Sequence, residues 1–180
     1  MFLTPLRAVL LLGLAAASGC ASSATPTPRP QTVYIPGSGA LTLSTHDGAV
    51  TTIIGAPIDA VWRLLPTAFD SVGVPLTLID PRRHTIGNEG FKVRQKLGTT
   101  RLSSYFECGT TQVGPNADSY ELYVTVMTSL EPEGTTRTKL TTTVTGAAKP
   151  MQFAQDYSRC SSKSALETRI ADVVAAAVKR

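Results

Sequence analysis

The sequence predicts an α+β domain: an antiparallel sheet with a strand-helix-strand start and a C-terminal helix packed on one face. Three observations carry this. Residues 49–80 read strand, helix, strand: AVTTIIG, then APIDAVWRLLPTAFDSVG, then VPLTLID. Between Phe91 and Thr145, apolar residues recur at every second position within several segments, the strand period. Near the end, Leu166, Ile170, Val173, Val174 and Ala177 fall on one helical stripe. Helices gathered on one face of an antiparallel sheet bury a single core between two layers.

Taken in order, residues 41–45 alternate weakly, as an edge strand, and His46-Asp47-Gly48 is a turn. Residues 49–54 form the first full strand. Gly55-Ala56-Pro57 opens the helix, with proline at a tolerated first-turn position. Ile58, Val61, Trp62, Leu65, Phe69 and Val72 share one face of it, and the downstream strands must cover that face. Pro66 has no backbone donor, so a kink or break is expected over residues 62–66. Gly73 ends the helix.

Residues 74–79 form a second strand, residues 80–84 a polar turn, and residues 85–87 start the next strand. Over residues 91–97, Phe91, Val93 and Leu97 point one way, and Lys92, Arg94 and Lys96 the other. Residues 102–108 alternate as a further strand, with Leu102, Phe106 and Cys108 on one side, and residues 109–118 are a loop. A long strand follows over residues 120–130, with Tyr120, Leu122, Val124, Val126 and Leu130 on one face. After a turn at residues 131–134, the threonine-rich residues 137–145 are its antiparallel partner, suited to a half-solvated surface. Residues 149–159 are irregular or a short helix. Ser164-Ala165-Leu166-Glu167 has the pattern of a capping box and opens the terminal helix.

The first residues are of another kind. Arg7 is the only charge in residues 1–19, residues 8–14 are an apolar run, and residues 15–19 are small. This is a short secretory signal rather than a membrane span. It ends in Ala17-Ser18-Gly19-Cys20. Small residues directly before a cysteine resemble the lipobox of bacterial lipoprotein precursors. The resemblance implies cleavage between Gly19 and Cys20 and acylation of Cys20, palmitate among the acyl groups, with the plain secreted protein as the alternative. Two or more acyl chains anchor stably, at about 0.8 kcal/mol per buried methylene. Ala21 and Ser22 follow the cysteine with no aspartate, which by the same resemblance implies the periplasmic face of an outer membrane.

Residues 20–40 then read as the lipidated cysteine and a tether rich in Pro, Ser and Thr, with little to bury and a bias to extended conformations. Val33, Tyr34 and Ile35 offer a short docking motif as the alternative. Residues 41–180 are enough for one domain with one core. The whole chain of 180 residues carries a formal charge of +4. Without Arg7, 16 basic residues stand against 13 acidic ones. No dense basic stripe interleaved with aromatics is present, so nucleic acid is not an expected partner.

At this point the folded part bears a resemblance of its own. Ile58-Asp59-Ala60-Val61-Trp62, a helix ending in Val72-Gly73-Val74, and a strand ending in Ile79-Asp80 resemble helix-grip domains. These are the domains of the lipoprotein C component of the outer-membrane β-barrel assembly machinery, and the layout is similar to the START-like ligand-binding superfamily. The first likeness implies a membrane-anchored protein with an envelope protein as partner. The second implies a sheet curled around a terminal helix, with a cavity for a small apolar ligand.

With Cys20 acylated, Cys108 and Cys160 remain, an even pair in an oxidising compartment, and a disulfide between them is expected. Two buried free thiols are the alternative. No metal site is expected, since His46 and His84 sit in turns without ligand spacing, and no cofactor is implied. The chain lacks a nucleophile elbow, a Walker loop and a dinucleotide glycine pattern. Asp80, His84 and Ser103 or Ser104 make a triad only by free choice among many serines, and Glu89 and Glu107 read as solvated sheet residues. The expectation is therefore no enzyme, with an envelope hydrolase as the remote alternative. Lys92, Arg94 and Lys96 are the one charge constellation with a geometric basis. They are a solvated strand face or a patch for anionic headgroups, polysaccharide or an acidic partner.

Overall fold

The computed structural model describes residues 30–35, 39–44, 49–152 and 154–180. The leader, Cys20 and the His46-Asp47-Gly48 turn lie outside them. Upstream of the domain, β1 (Pro30–Ile35) pairs with β2 (Gly39–Ser44) as an antiparallel hairpin. Part of the segment read as tether is thus a strand, in keeping with the β-branched Thr32, Val33 and Ile35.

The domain runs β3 (Ala49–Ile54), α1 (Ile58–Val72), β4 (Leu78–Asp80) and β5 (Thr85–Arg94). A small hairpin follows, β6 (Lys96–Leu97) with β7 (Thr100–Arg101), then β8 (Phe106–Glu107). A second hairpin, β9 (Thr110–Thr111) with β10 (Gly114–Pro115), leads into α2 (Asn116–Ser119). Two long strands, β11 (Glu121–Glu133) and β12 (Arg137–Lys149), form the centre. The chain closes with β13 (Ser158–Ser162) and α3 (Ala165–Val178). The main sheet has the order β4-β5-β11-β12-β13-β8, and β3 also pairs with β12; every pairing is antiparallel. The fold is α+β, with α1 and the C-terminal α3 side by side on one face of an antiparallel sheet.

The core lies between these layers. Val61, Leu65, Ala68, Phe69 and Val72 of α1 meet Leu166, Ile170 and Val174 of α3 over Leu122, Val124, Val126, Leu140 and Val144 of the sheet. Alternation along β11 carries this face. It would fail on β5 without a bulge. Val126 pairs with Asn88 but Val124 with Phe91, so Glu89 and Gly90 together oppose Thr125. Ile86 and Asn88 face the core before the bulge, and Phe91 and Val93 after it. Thr125 Oγ1 donates to the Glu89 carbonyl at 3.1 Å, and Gly90 N–H to Asn88 Oδ1 at 2.8 Å. The Asn88 amide donates to the Pro75 carbonyl at 2.7 Å, so a buried polar side chain is satisfied on both sides.

Six local expectations are corrected. Residues 109–118 hold β9, β10 and most of α2 rather than a plain loop, and residues 131–133 continue β11, which leaves the turn to residues 134–136. Helix α1 runs without a break through Pro66, which lies on its exposed side, where solvent can take up the freed Trp62 carbonyl. Of residues 74–79 only the end is strand. Pro75 has no donor for a ladder, and its carbonyl goes to Asn88. Residues 102–108 are not one strand. Leu102–Ser104 is a 3-10 turn, closed by Tyr105 N–H on the Leu102 carbonyl, because Asp118 captures both the backbone N–H and the hydroxyl of Ser103. The capping box does not form. Ser164 sits at φ +59° and its side chain caps nothing. Ser162 Oγ takes that place, accepting from Ser164 N–H at 3.1 Å and donating to Glu167 Oε1 at 2.7 Å.

That swap draws Glu167 into the core, fully buried, with Oε2 unpartnered. Burial raises its pKa, and the Ser162 hydroxyl only partly opposes this. A carboxyl raised in the folded state contributes its stability below the unfolded value of about 4.3 and loses it as pH rises through the folded value. Glu167→Gln should therefore match the wild type near pH 4 and be more stable by about 1 kcal/mol at alkaline pH. Urea unfolding across pH checks this, and a difference independent of pH would refute it.

Two glycines fix the packing of the ends. Gly73 caps α1 at φ +78°, and its missing side chain admits the backbone of Gly98 in the β6–β7 turn. Gly146 leaves room for the Phe106 ring, which a Cβ would meet at 2.8 Å. Gly146 also pairs with Cys160, so this close approach lies beside the Cys108–Cys160 disulfide, with S–S 2.02 Å.

Candidate functional site

The helices cover one face of the sheet, and the chemistry concentrates on the other. Cross-strand register sets it up. Arg94 lies opposite Glu121, Lys92 opposite Tyr123, and Glu121 and Tyr123 lie opposite Lys149 and Ala147. Glu121 is the hub. Its Oε2 accepts from Arg94 Nε at 3.2 Å and from Arg94 Nη2. Its Oε1 accepts from the Tyr157 hydroxyl at 2.7 Å and lies 3.3 Å from Lys92 Nζ. The Tyr157 ring stands edge-on to Tyr123, at 6.3 Å between centroids, with Lys149 Nζ 5.3 Å from its own centroid.

The electrostatics follow from this packing. The Glu121 side chain is 9% exposed, so an isolated charge there would be costly. The Arg94 guanidinium first, then the Tyr157 hydroxyl and Lys92, overcome that cost and hold its pKa down at about 2. Burial, and next the carboxylate beside it, push the Tyr157 pKa up, so this hydroxyl remains a donor. The result is a rigid clamp joining β5, β11 and the loop before β13, with the cationic heads of Lys92 and Arg94 half exposed above it.

Lys96 does not join this pair. Gln95 takes φ +61° and turns the chain out of β5, and Leu102 N–H on the Gln95 carbonyl closes the β6–β7 hairpin. Lys96 there sits opposite Arg101. Both line an open cleft of about 280 Å³ with Gln95 and Asp118, and Arg101 Nη1 lies 3.9 Å from Asp118 Oδ2. The serines and His84 are also apart: Ser103 donates to Asp118, and His84 stands edge-on to Trp62 at 5.6 Å. Glu107 lies 3.5 Å from Lys163, while Glu89 sits in the β5 bulge.

No local pattern in the sequence marks Glu121, Tyr157 or Lys149. Glu121 opens an apolar strand and looks like its solvated flank. Only the pairing of Glu121 with both Arg94 and Lys149 marks it. Tyr157 lies in a stretch with no period at all.

Beyond the clamp, the open face continues as rows of small polar side chains. Thr85, Ser129, Thr141 and Thr51 align across four strands, with Met127 and Thr143 in the next row. Ile53, opposite Lys139, is 44% exposed at the edge. Among the described residues no helix is long and apolar enough to cross a membrane. No family model matches the chain, and no curated protein sequence matches it.

Proposed function

We propose that the chain is a non-catalytic lipoprotein of the cell envelope, acylated on Cys20 and held at the periplasmic face of an outer membrane, whose domain binds another envelope protein in an assembly or scaffolding role. The observation that supports this reading best is the open face of the sheet. It is a broad, preformed surface of Thr51, Thr141, Ser129 and Thr85 with Ile53 at its edge, stiffened at one end by the Glu121 clamp. Such a mixed surface, rigid before contact, loses little entropy on docking. The resemblance to helix-grip domains of an assembly lipoprotein points the same way. A carrier of small apolar ligands needs space beneath the last helix, where Val61, Leu65, Phe69, Ile170 and Val174 are all buried together.

Two experiments test the reading. Cys20→Ala should move the chain from the membrane fraction to the soluble envelope fraction; retention in membranes would remove the anchor from the proposal. A photoreactive residue at position 141, on the open face, should give a discrete protein adduct in living cells, and one at position 70, on the exposed side of α1, should not. Ile53→Lys should abolish the adduct. Adducts confined to position 70, or native mass spectra showing a retained small apolar molecule, would overturn the reading.

A further inference from the structure

The end of the sheet where β11 starts and β12 stops carries two exposed apolar residues and a cationic hairpin that the open-face reading does not use, beside the clamp that it does. We propose that this end is a second membrane contact, which docks on a bilayer rich in anionic headgroups. The two apolar residues lie in the connections there. Val113, between β9 and β10, is 87% exposed, and Met151, just past β12, is 55% exposed. The pairing of Glu121 with Lys149 brings the roots of these loops together. Cations lie at the same end of the sheet: Lys92, Arg94 and Lys149 on the open face, and Lys96 and Arg101 on the β6–β7 hairpin that follows β5.

The acids at this end offset them only in part. Glu121 is drawn beneath Lys92 and Arg94, Asp118 accepts from Ser103 with Arg101 Nη1 3.9 Å away, Glu107 at the root of the β9–β10 hairpin lies 3.5 Å from Lys163, and Asp156 lies in the loop before β13. Apolar side chains that enter the headgroup boundary, beside cations that meet anionic lipid, are the chemistry of a peripheral membrane surface. The direction of the chain agrees. Ala49 lies opposite Thr143 and Ile54 opposite Thr138, so the polypeptide arriving from Cys20 enters β3 from the side of this end. The domain is thus entered from the side of this end, which suits a bilayer that holds Cys20; for this point alone the inference rests on the anchored reading.

The test is flotation of the mature chain, residues 20–180 with Cys20→Ala, on vesicles of phosphatidylcholine alone or with about 30% phosphatidylglycerol. No acyl group is present, so the outcome is separate from that of the fractionation above. Binding is expected on the anionic vesicles only, falling with added salt. Lys96→Gln and Arg101→Gln should each weaken it about fivefold. Val113→Asp and Met151→Asp should each weaken it about tenfold. Both positions are exposed, and unchanged melting temperatures would show that the fold is intact. Equal binding to both vesicle types, or none to either, would overturn the proposal. So would binding that needs the cations but ignores Val113 and Met151, which would mark a surface for an acidic polymer or protein.

Discussion

Replacing Cys108 and Cys160 together by Ser is expected to lower stability by about 4 kcal/mol, on the order of 15 °C in melting temperature for a domain of this size. The cross-link joins residues 52 apart in sequence, and the loop it closes contains β11 and β12, the centre of the sheet. Without it, the unfolded chain regains the freedom of that loop. The folded chain also relies on it locally. The β8–β13 ladder has two pairs, Ser161 opposite Glu107 and Ser162 opposite Phe106, extended by Lys163 N–H on the Tyr105 carbonyl at 2.8 Å. So short a ladder does not secure an edge strand, yet Phe106 is fully buried against Gly146 and must stay there. Urea unfolding of the wild type and the double variant checks the prediction. The midpoint should fall and the slope should rise, since a chain without the cross-link exposes more surface on unfolding. An unchanged midpoint would mean that Phe106 and its neighbours hold β13 in place unaided.

What the sequence disclosed, and what it withheld, follows from the range of each interaction. The α1 stripe of Val61, Leu65, Phe69 and Val72 and the α3 stripe of Leu166, Ile170 and Val174 are local periods, and each is buried as the spacing implies. The long pair β11 and β12 is equally legible from alternation, although the turn read at residues 131–134 narrows to residues 134–136, because Glu131, Pro132 and Glu133 still pair with β12. The bulge at Glu89 and Gly90 is not, because it exists only relative to Thr125 on another strand. The three cations at positions 92, 94 and 96 show the same limit. Alternation placed them on one face, but one left-handed residue, Gln95, sends Lys96 into a separate hairpin. Glu121 and Tyr157 come together across 36 residues, beyond the reach of any local pattern. The capping box failed for a related reason: Ser162, on the strand before the helix, offered Glu167 a partner inside the core.

Glu121→Gln is expected to cost about 2 kcal/mol at neutral pH. A carboxyl held at about 2 rather than near 4.3 corresponds to roughly 3 kcal/mol of preference for the charged form. Water around the half-exposed heads of Lys92 and Arg94 reduces that figure. The sign is that of a depressed acid. Its contribution is complete above the unfolded value of about 4.3 and is lost as pH falls toward about 2. The gap between wild type and Glu121→Gln should therefore close over that interval. Glu167→Gln should show the opposite dependence, closing its own gap in acid and opening it in alkali, because burial rather than an ion pair governs that carboxyl. Measured together by urea unfolding, the two variants separate a paired charge from an unpaired one in the same domain. A gap at Glu121→Gln that persists unchanged to pH 2 would assign the role of this residue to its hydrogen-bond geometry with Tyr157 and Arg94. The clamp would then hold without its charge, and its stiffness would have to come from Tyr157 packed on Tyr123 under Lys149.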